Sequence, residues 1–541
     1  MNAEPSMAPS PLLLYWRALS LPTERLLGED GGLRMSFTDV LLGTTAVFLA
    51  YSFVVLPVYR VFFSPLAKFP GPWLAAATSW YEFYYDIVRH GDYVHEIDRM
   101  HDKYGPIVRI NPWEISIRDH AFFNSIYVAG AARRTEMYWR QRSTFGVEGS
   151  MITAESHDLH RLRRHTLEPF FSRRGVSFLE PLLAEEARLL DHRLDQLRGS
   201  QSVVEIEHVF SAFALDIINK ICFEEPKAAL AAPDFDPTVH LLLRDSLPKI
   251  SFALHFPWLV KAVDTIPAFL MDILLPAAAG PRKTLNYLRD QIKHEIDRIR
   301  AGRVPTDNFN PKGSVVRHLL DSDLPTEEKT TPRLQAELMA FVAAGTASNS
   351  RILTVAAYFI LTTPHIEERL REELKDTMAG FPETVPTWSD LEKLPFLQAC
   401  IKEALRMGAP IFRRLPRRAT DVAIQYKEWT IPKRTPVGMQ TRLMHYDPDV
   451  YPEPDKYIPE RWLDADPLMA RNLVPYSRGA RNCIGQNVSN ATIGLLLATM
   501  FRPGAPKCSV FETEAGDVLP MHDFAINTPR KGWRDMRVMV H

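Results

Sequence analysis

The sequence predicts a mainly helical α+β chain, with small β-sheets, behind one N-terminal transmembrane helix. Three observations carry this. Residues 40–59 form an uncharged run bounded by Asp39 and Arg60. From residue 75 onward the apolar positions recur mostly with helical spacing. Between those stretches lie short strand-like pieces set among prolines and turn residues.

The apolar run is long enough to be an anchor. Twenty helical residues at 1.5 Å each span a hydrocarbon core of ~30 Å. Gly43, Thr44, Thr45 and Ser52 dilute its hydrophobicity, so a buried core helix is the competing reading. Some 39 residues precede it, which argues against a cleaved signal peptide. Arg25 and Arg34 on one side and Arg60 and Lys68 on the other leave its orientation open. Next comes Lys68-Phe69-Pro70-Gly71-Pro72, where two fixed φ angles predict a stiff, extended connection. The chain therefore divides into a tail (1–39), a span (40–59), a proline-rich hinge (60–75) and one large domain (76–541).

Within that domain, Ile107-Val108-Arg109-Ile110 and Glu114-Ile115-Ser116-Ile117 read as paired strands around a turn begun by Asn111-Pro112. Ala423-Ile424-Gln425 and Thr435-Pro436-Val437 read as further strands. Residues 302–331 read as an exposed connection, and residues 446–476 as proline-rich coil. Residues 332–361 read as a helix of ~45 Å, enough to cross the domain. Its small residues Ala343, Ala344, Gly345 and Ala347 leave room for something flat. Residues 250–275 are apolar and broken by prolines, as a roof or a bilayer-dipping segment would be.

Composition excludes some functions. With 64 basic and 65 acidic side chains the net charge is −1, so nothing favours nucleic acid. Cys222, Cys400, Cys483 and Cys508 are too scattered for a disulfide framework and suit a reducing compartment. The sequons at Asn487 and Asn490 fall just after the motif described next and read as chance matches.

The most informative stretch is Tyr476-Ser477-Arg478-Gly479-Ala480-Arg481-Asn482-Cys483-Ile484-Gly485. It sets one thiol before an apolar helix, beside Arg478 and Arg481. Both a helix N-terminus and nearby cations lower a cysteine pKa. Gly479 and Gly485 let backbone approach a flat ligand. Such a thiolate can ligate haem iron.

This stretch resembles the haem-binding loop of the cytochrome P-450 family, Phe-x-x-Gly-x-Arg-x-Cys-x-Gly, with Tyr476 in place of Phe. Distant motifs strengthen the resemblance. Glu403-x-x-Arg406 followed by Pro459-Glu460-Arg461 matches the family's structural Glu–Arg–Arg cluster. His160 and Arg164 take the places of a Trp-x-x-x-Arg pair that donates to a haem propionate, and an imidazole N–H can stand in for an indole N–H. By resemblance, Arg414 and Arg481 are further propionate partners. In the middle of the long helix the family has Ala/Gly-Gly-x-Asp/Glu-Thr-Thr/Ser, whose acid and alcohol deliver protons to bound dioxygen. Here it reads Ala344-Gly345-Thr346-Ala347-Ser348-Asn349, with no acid. Thr346, Ser348 and Asn349 are the candidate catalytic positions. Ser348 keeps the hydroxyl, and Asn349 is expected to order a water.

The resemblance implies the P-450 fold and haem b (iron protoporphyrin IX) with Cys483 as axial ligand. It implies a monooxygenase that inserts one oxygen atom from O2 into a C–H bond or C=C of an apolar small molecule. Electrons would come from NADPH–cytochrome P-450 reductase, with cytochrome b5 as a further donor, docking on a basic face of Arg471, Arg478 and Lys433. The enzyme would be single-pass in the endoplasmic reticulum membrane, facing the cytosol. The segments Lys103-Tyr104-Gly105-Pro106 and Pro169-Phe170-Phe171-Ser172 look most like fungal members that decorate terpenoids and polyketides. Tyr138, Trp139 and Phe145 are candidate pocket residues. Two rival readings stand beside this: a haem-thiolate isomerase, dehydratase or peroxide user that needs no acid at Ala347, and a haem-binding protein without turnover.

Overall fold

The computed structural model describes residues 37–130, 133–143, 146–226, 228–274, 276–302 and 313–541. The tail before residue 37 and Phe145 lie outside them. Among the described residues one helix is long and apolar enough to cross a membrane, Phe37–Phe63. It overruns the expected 40–59 span at both ends. Arg60 continues the helix because it has partners on the domain: its guanidinium donates to Ala77 O at 3.0 Å and stacks on the Trp113 ring at 5.0 Å. Arg109 in turn donates to Arg60 O at 2.7 Å. The proline-rich segment is docked as well. Leu66 and Phe69 are buried, and Pro70 O accepts from Arg109 N at 2.7 Å. A side chain at Gly71 would lie 2.4 Å from Arg109 O, so only glycine fits that approach.

The expected strand pair forms β1 (Ile107–Arg109) and β2 (Ile115–Ile117), antiparallel with Ile107 opposite Ile117. They join β3 (Thr135–Met137), β4 (Arg417–Ala419) and β5 (Pro436–Gly438) in a sheet of spatial order β1-β2-β5-β4-β3. Ile424–Tyr426 pairs with Trp429–Ile431 as a separate hairpin. Two further small sheets recruit the C-terminus, through His522–Phe524 with Ile526–Thr528 and through Arg537–Val540 between Val203–Glu205 and Cys508–Val510.

Helices form the bulk. Those that build the site are α1 (His157–Phe171), α2 (Arg173–Asp195), α3 (Ile206–Cys222), α4 (Thr331–Thr362), α5 (Pro395–Gly408) and α6 (Gln486–Phe501). α4 starts one residue before the expected helix and ends one after. Pro332 sits in its first turn, where the missing N–H costs little, and Pro364 follows its end. At 32 residues it crosses the domain, burying Leu334, Leu338, Leu353 and Ile360 against α3, α5 and α6. α6 is buried all round from Val488 to Phe501 and is the second core helix. The expected exposed connection is only partly one: Val315–Asp321 is a helix with Val315, Val316 and Leu319 buried. The apolar roof forms Thr238–His255, Pro257–Asp264 and Ala268–Leu274, with Trp258, Phe269 and Ile273 exposed.

Candidate active site

The cysteine loop is shaped by its backbone. Gly479 has φ +76°, and a Cβ there would lie 2.3 Å from Val128 O and 2.5 Å from Tyr127 O. Ala480 N donates to Val128 O at 3.0 Å, and Cys483 N to Tyr476 O at 2.9 Å. The turn delivers Cys483 just ahead of α6. Gly485 takes an ordinary φ of −82° and meets nothing nearer than Cys483 Sγ at 3.9 Å, so its value is its N–H, which donates to the thiol, and not its freedom.

Cys483 lies deep in the fold, yet its surface stays accessible, as does that of Ala344 in the middle of α4. An internal slot between cysteine and central helix accounts for both. Burial pushes the thiol pKa up, with Gly485 N–H and Arg164 pulling the other way. This corrects the expectation that Arg478 and Arg481 activate the thiol. Arg478 turns outward to Asn124 Oδ1 at 3.1 Å, and Arg481 donates to Ala154 O at 2.7 Å and Glu155 O at 2.9 Å.

Cations crowd one end of this slot. α1 begins at Ser156, whose hydroxyl caps Leu159 N, and places His160 and Arg164 on one face. Arg164 donates to Asn482 O at 2.7 Å and Asn482 Oδ1 at 2.8 Å, clamping the residue before the cysteine. His160 is driven neutral, its pKa lowered to about 2 by burial and then by Arg481, Arg164 and Arg417. Arg481 is lowered to about 9 by burial and Arg417, and Arg417 is lowered by burial too. Among the described residues no carboxylate pairs with Arg417, whose guanidinium donates to Pro416 O at 3.4 Å and lies over the Tyr127 ring at 5.5 Å. Buried, unmatched positive charge of this kind is costly without an anionic guest.

Arg414 does not join them, contrary to expectation. It donates to Glu114 Oε2 at 2.8 Å and to Glu82 Oε1, with all three side chains buried. Its charge is already balanced. Sequence reasoning missed Arg417, three residues further on, although it lies in the same arginine-rich run.

Behind the loop, Glu403 and Arg406 are fully buried on α5. Arg406 grips both Glu403 oxygens at 3.0 and 2.8 Å, and Arg461 Nε and Trp462 Nε1 add bonds at 3.2 and 2.8 Å. Arg406 also donates to His445 O and Pro454 O. His445 carries this network to the cysteine loop. Val474 N donates to His445 Nε2 at 2.9 Å, which leaves Nδ1–H to donate to Arg406 O at 3.0 Å. A lone histidine in coil gave no signal of this in the sequence.

On α4, Ser348 Oγ donates back to Ala344 O at 2.5 Å. Thr346 is fully buried, and its hydroxyl has no hydrogen-bond partner among the described residues. Asn349 is turned away from the expected water-ordering role. Its Nδ2 donates to Gly345 O at 2.9 Å, and its Oδ1 accepts from Ser489 Oγ at 2.6 Å. Ser489 lies 3.2 Å from the Tyr476 hydroxyl, which also donates to Asn490 Oδ1 at 2.7 Å. With Asn487 Nδ2 bonded to Phe171 O, both sequon asparagines serve the interior. Tyr138 is buried and Trp139 half exposed.

The cytochrome P450 family model matches residues 77–506. The chain belongs to the cytochrome P450 family. Cytochrome P450 monooxygenase tndB of Aspergillus flavipes is 46% identical over 468 residues, 81% of this chain and 94% of that protein. Stellatic acid synthase of Emericella variicolor is 40% identical over 520 residues, covering 92% and 94%. Fusicoccadiene C-8 hydroxylase of Phomopsis amygdali is 40% identical over 501 residues, covering 91% and 95%.

This P450 is therefore an oxidoreductase of the haem-dependent monooxygenase class, similar to enzymes of fungal secondary metabolism. The rival readings, a non-oxygenating enzyme and a haem protein without turnover, give way to it. The family's cofactor is haem b on a cysteine thiolate. The residues present fit it: an accessible thiol, a glycine turn that brings backbone close, and buried cations awaiting carboxylates.

Proposed function

We propose that this P450 hydroxylates an apolar, multi-ring hydrocarbon of terpenoid or polyketide origin. Its likeness to a hydroxylase named for a diene, over nearly that enzyme's full length, is the observation that carries the reading. Cys483 would bind the iron. His160, Arg417 and Arg481 would hold the propionates, the guanidinium forks matching carboxylates, while Arg164, already bonded to Glu168 and Asn482, would lend its charge from behind the loop. Glu403, Arg406 and Arg461 hold the loop, and His445 ties it to them. The bound haem supplies dioxygen activation. Around it, the accessible Ala344 keeps α4 low, while Gly345 packs on Ile218 of α3, and Ser348 keeps a hydroxyl near the site.

Electrons would reach the site from NADPH–cytochrome P-450 reductase, or cytochrome b5, on the cysteine side. A surface depression of about 560 Å³ lies there, lined by Asn124, Tyr127, Tyr476, Arg478 and Gly479 among others. Arg471 and Lys433 are exposed and carry positive charge on the surface. Residues 40–59 would span the endoplasmic reticulum membrane, with 60–75 as a docked connection and 76–541 as the cytosolic catalytic domain. The exposed Trp80, Trp258, Phe269 and Ile273 would rest against the bilayer. Trp80 packs on Phe256 at 6.1 Å, which joins the two apolar surfaces.

Membranes containing the enzyme and reductase, given NADPH, heavy-isotope dioxygen and a panel of cyclic dienes, test this. A product with one labelled oxygen is expected, lost in Cys483→Ser together with the thiolate-type spectrum of the reduced, carbon-monoxide-bound enzyme. A product of unchanged mass, or a thiolate spectrum that survives the substitution, would overturn it.

A further inference from the structure

Hydroxylation combines a C–H bond, dioxygen, two electrons and two protons to give an alcohol and water. The protons must reach the site, yet Ala347 offers none. A small, half-open cavity of about 60 Å³ lies against that residue, between α3, α4, the helix Thr238–His255 and the C-terminal segment. Glu207, Ser211, Thr346, Ala347, Ser350 and Arg351 line it. Its volume exceeds the ~10–15 Å³ that one water requires. Its lining is largely apolar with polar atoms set into it: Thr346 Oγ1, Asn527 Oδ1, Thr528 Oγ1 and Asp535 Oδ1 are buried and make no hydrogen bond among the described residues.

One carboxyl in this cavity suits proton transfer. Glu207 is on α3, directly across from α4: Ser350 Oγ donates to Glu207 O at 3.3 Å. Its Oε1 accepts from Met536 N at 3.2 Å and lies 3.9 Å from Arg351 Nη1. Arg351 stands four residues after Ala347, on the same helical face. Burial raises the Glu207 pKa; Arg351 and His240 oppose this and Asp535 adds to it. The cavity also leads outward. His240 Nε2 lies 3.3 Å and Arg244 Nη1 2.7 Å from Asp535 Oδ2, and Arg244 is partly exposed.

We propose that Glu207, through water in this cavity, is the proton donor for dioxygen chemistry in this P450, replacing the acid that its central helix lacks. Glu207 releases a proton to the cavity water beside Ala347, whose methyl leaves the passage open, and the proton passes on toward the Ser348 hydroxyl. Glu207 regains a proton from solvent through cavity water beside His240, a proton-bearing group held by the Asp535 carboxylate. The proposal rests on the monooxygenase reading.

Glu207→Gln tests it in the reductase-supported holoenzyme. The thiolate spectrum should be unchanged. Product per NADPH should fall at least tenfold, with the electrons appearing as hydrogen peroxide, and the solvent isotope effect on turnover should rise. Infrared spectra of the resting holoenzyme should lose a protonated-carboxyl band that shifts in heavy water. Ala347→Asp in the Glu207→Gln background should restore coupling, which a merely structural role for Glu207 would not allow. Wild-type coupling in a Glu207→Gln holoenzyme that keeps the thiolate spectrum, or absence of rescue by Ala347→Asp, overturns the relay. Should Glu207→Gln yield no holoenzyme, Ser211→Val decides, since it fills the cavity and leaves the Glu207 carboxyl in place: uncoupling supports the relay and normal coupling overturns it. A wild-type enzyme that puts no dioxygen-derived atom into product would instead sink the monooxygenase reading itself.

Discussion

Arg414 and Arg417 are three residues apart and should fail in opposite ways when replaced by methionine. Arg417 is buried, with one long hydrogen bond and no carboxylate partner among the described residues. A bound propionate would give it a charge-assisted hydrogen bond worth ~1.5–3 kcal/mol. Arg417→Met should therefore speed haem transfer to a scavenger protein by about 10–150-fold, at tenfold per ~1.4 kcal/mol. The same substitution removes an unmatched buried charge, so the urea midpoint of the haem-stripped chain should hold or rise. Arg414→Met leaves Glu114 without its cation and Glu82 with only Arg140 at 3.7 Å, the two carboxylates being 4% and 1% exposed. Breaking a buried pair costs about 3–5 kcal/mol, and the urea midpoint should fall accordingly. Unchanged haem release in Arg417→Met, or faster release in Arg414→Met without loss of stability, would refute the assignment of one arginine to haem and the other to the fold.

Three further outcomes are expected. Glu403→Gln leaves Arg406 and Arg461 without their anion, and at about 3–5 kcal/mol most of the expressed chain should lack the thiolate spectrum. Burial, then Arg406, lowers the His445 pKa to about 3 from an ordinary 6.5, so the unfolded chain binds a proton that the folded chain refuses. The stability is complete above about pH 6.5 and drains at up to ~1.4 kcal/mol per pH unit between there and about 3. Acid titration of the thiolate spectrum should show loss beginning near pH ~6, with a shallower slope in His445→Gln; equal slopes would count against it. Deleting residues 1–63 should leave some enzyme on membranes through the exposed Trp258, Phe269 and Ile273 face, and adding Phe269→Asp with Ile273→Asp should release it. Release by the deletion alone would refute that contact.

The features legible in sequence were those carried by local spacing. The cysteine loop, Glu403-x-x-Arg406 and the 32-residue central helix each announce themselves within a few turns of chain. Partners far apart in sequence did not. Arg414 finds Glu82 and Glu114 across 332 and 300 residues, and no local pattern separates it from Arg417. The C-terminal strands are three or four residues long, too short for an alternation to show, and they owe their pairing to the fold. Asn349 was misread for a similar reason: its spacing placed it on the catalytic helix, while Ser489 decided which way it faced.

The departures from the family pattern make sense as two coupled sets. The Tyr476 hydroxyl, absent in a phenylalanine, lies beside Ser489 and bonds Asn490, and Ser489 bonds Asn349. A polar group added to the cysteine loop is thus matched by a polar group on the central helix, as buried polar atoms require. The second set is Ala347, Arg351 and Glu207. An acid retained at 347 would sit one turn from Arg351 on the same face and pair with it. With alanine there, Arg351 faces Glu207 on the neighbouring helix at 3.9 Å instead, and space for water opens between them. On the proposed relay the ionisable group stands on the neighbouring helix, with the cavity beside residue 347 between it and the site. Read this way, the missing acid marks a relocated proton source and not an enzyme that has lost its oxygen chemistry.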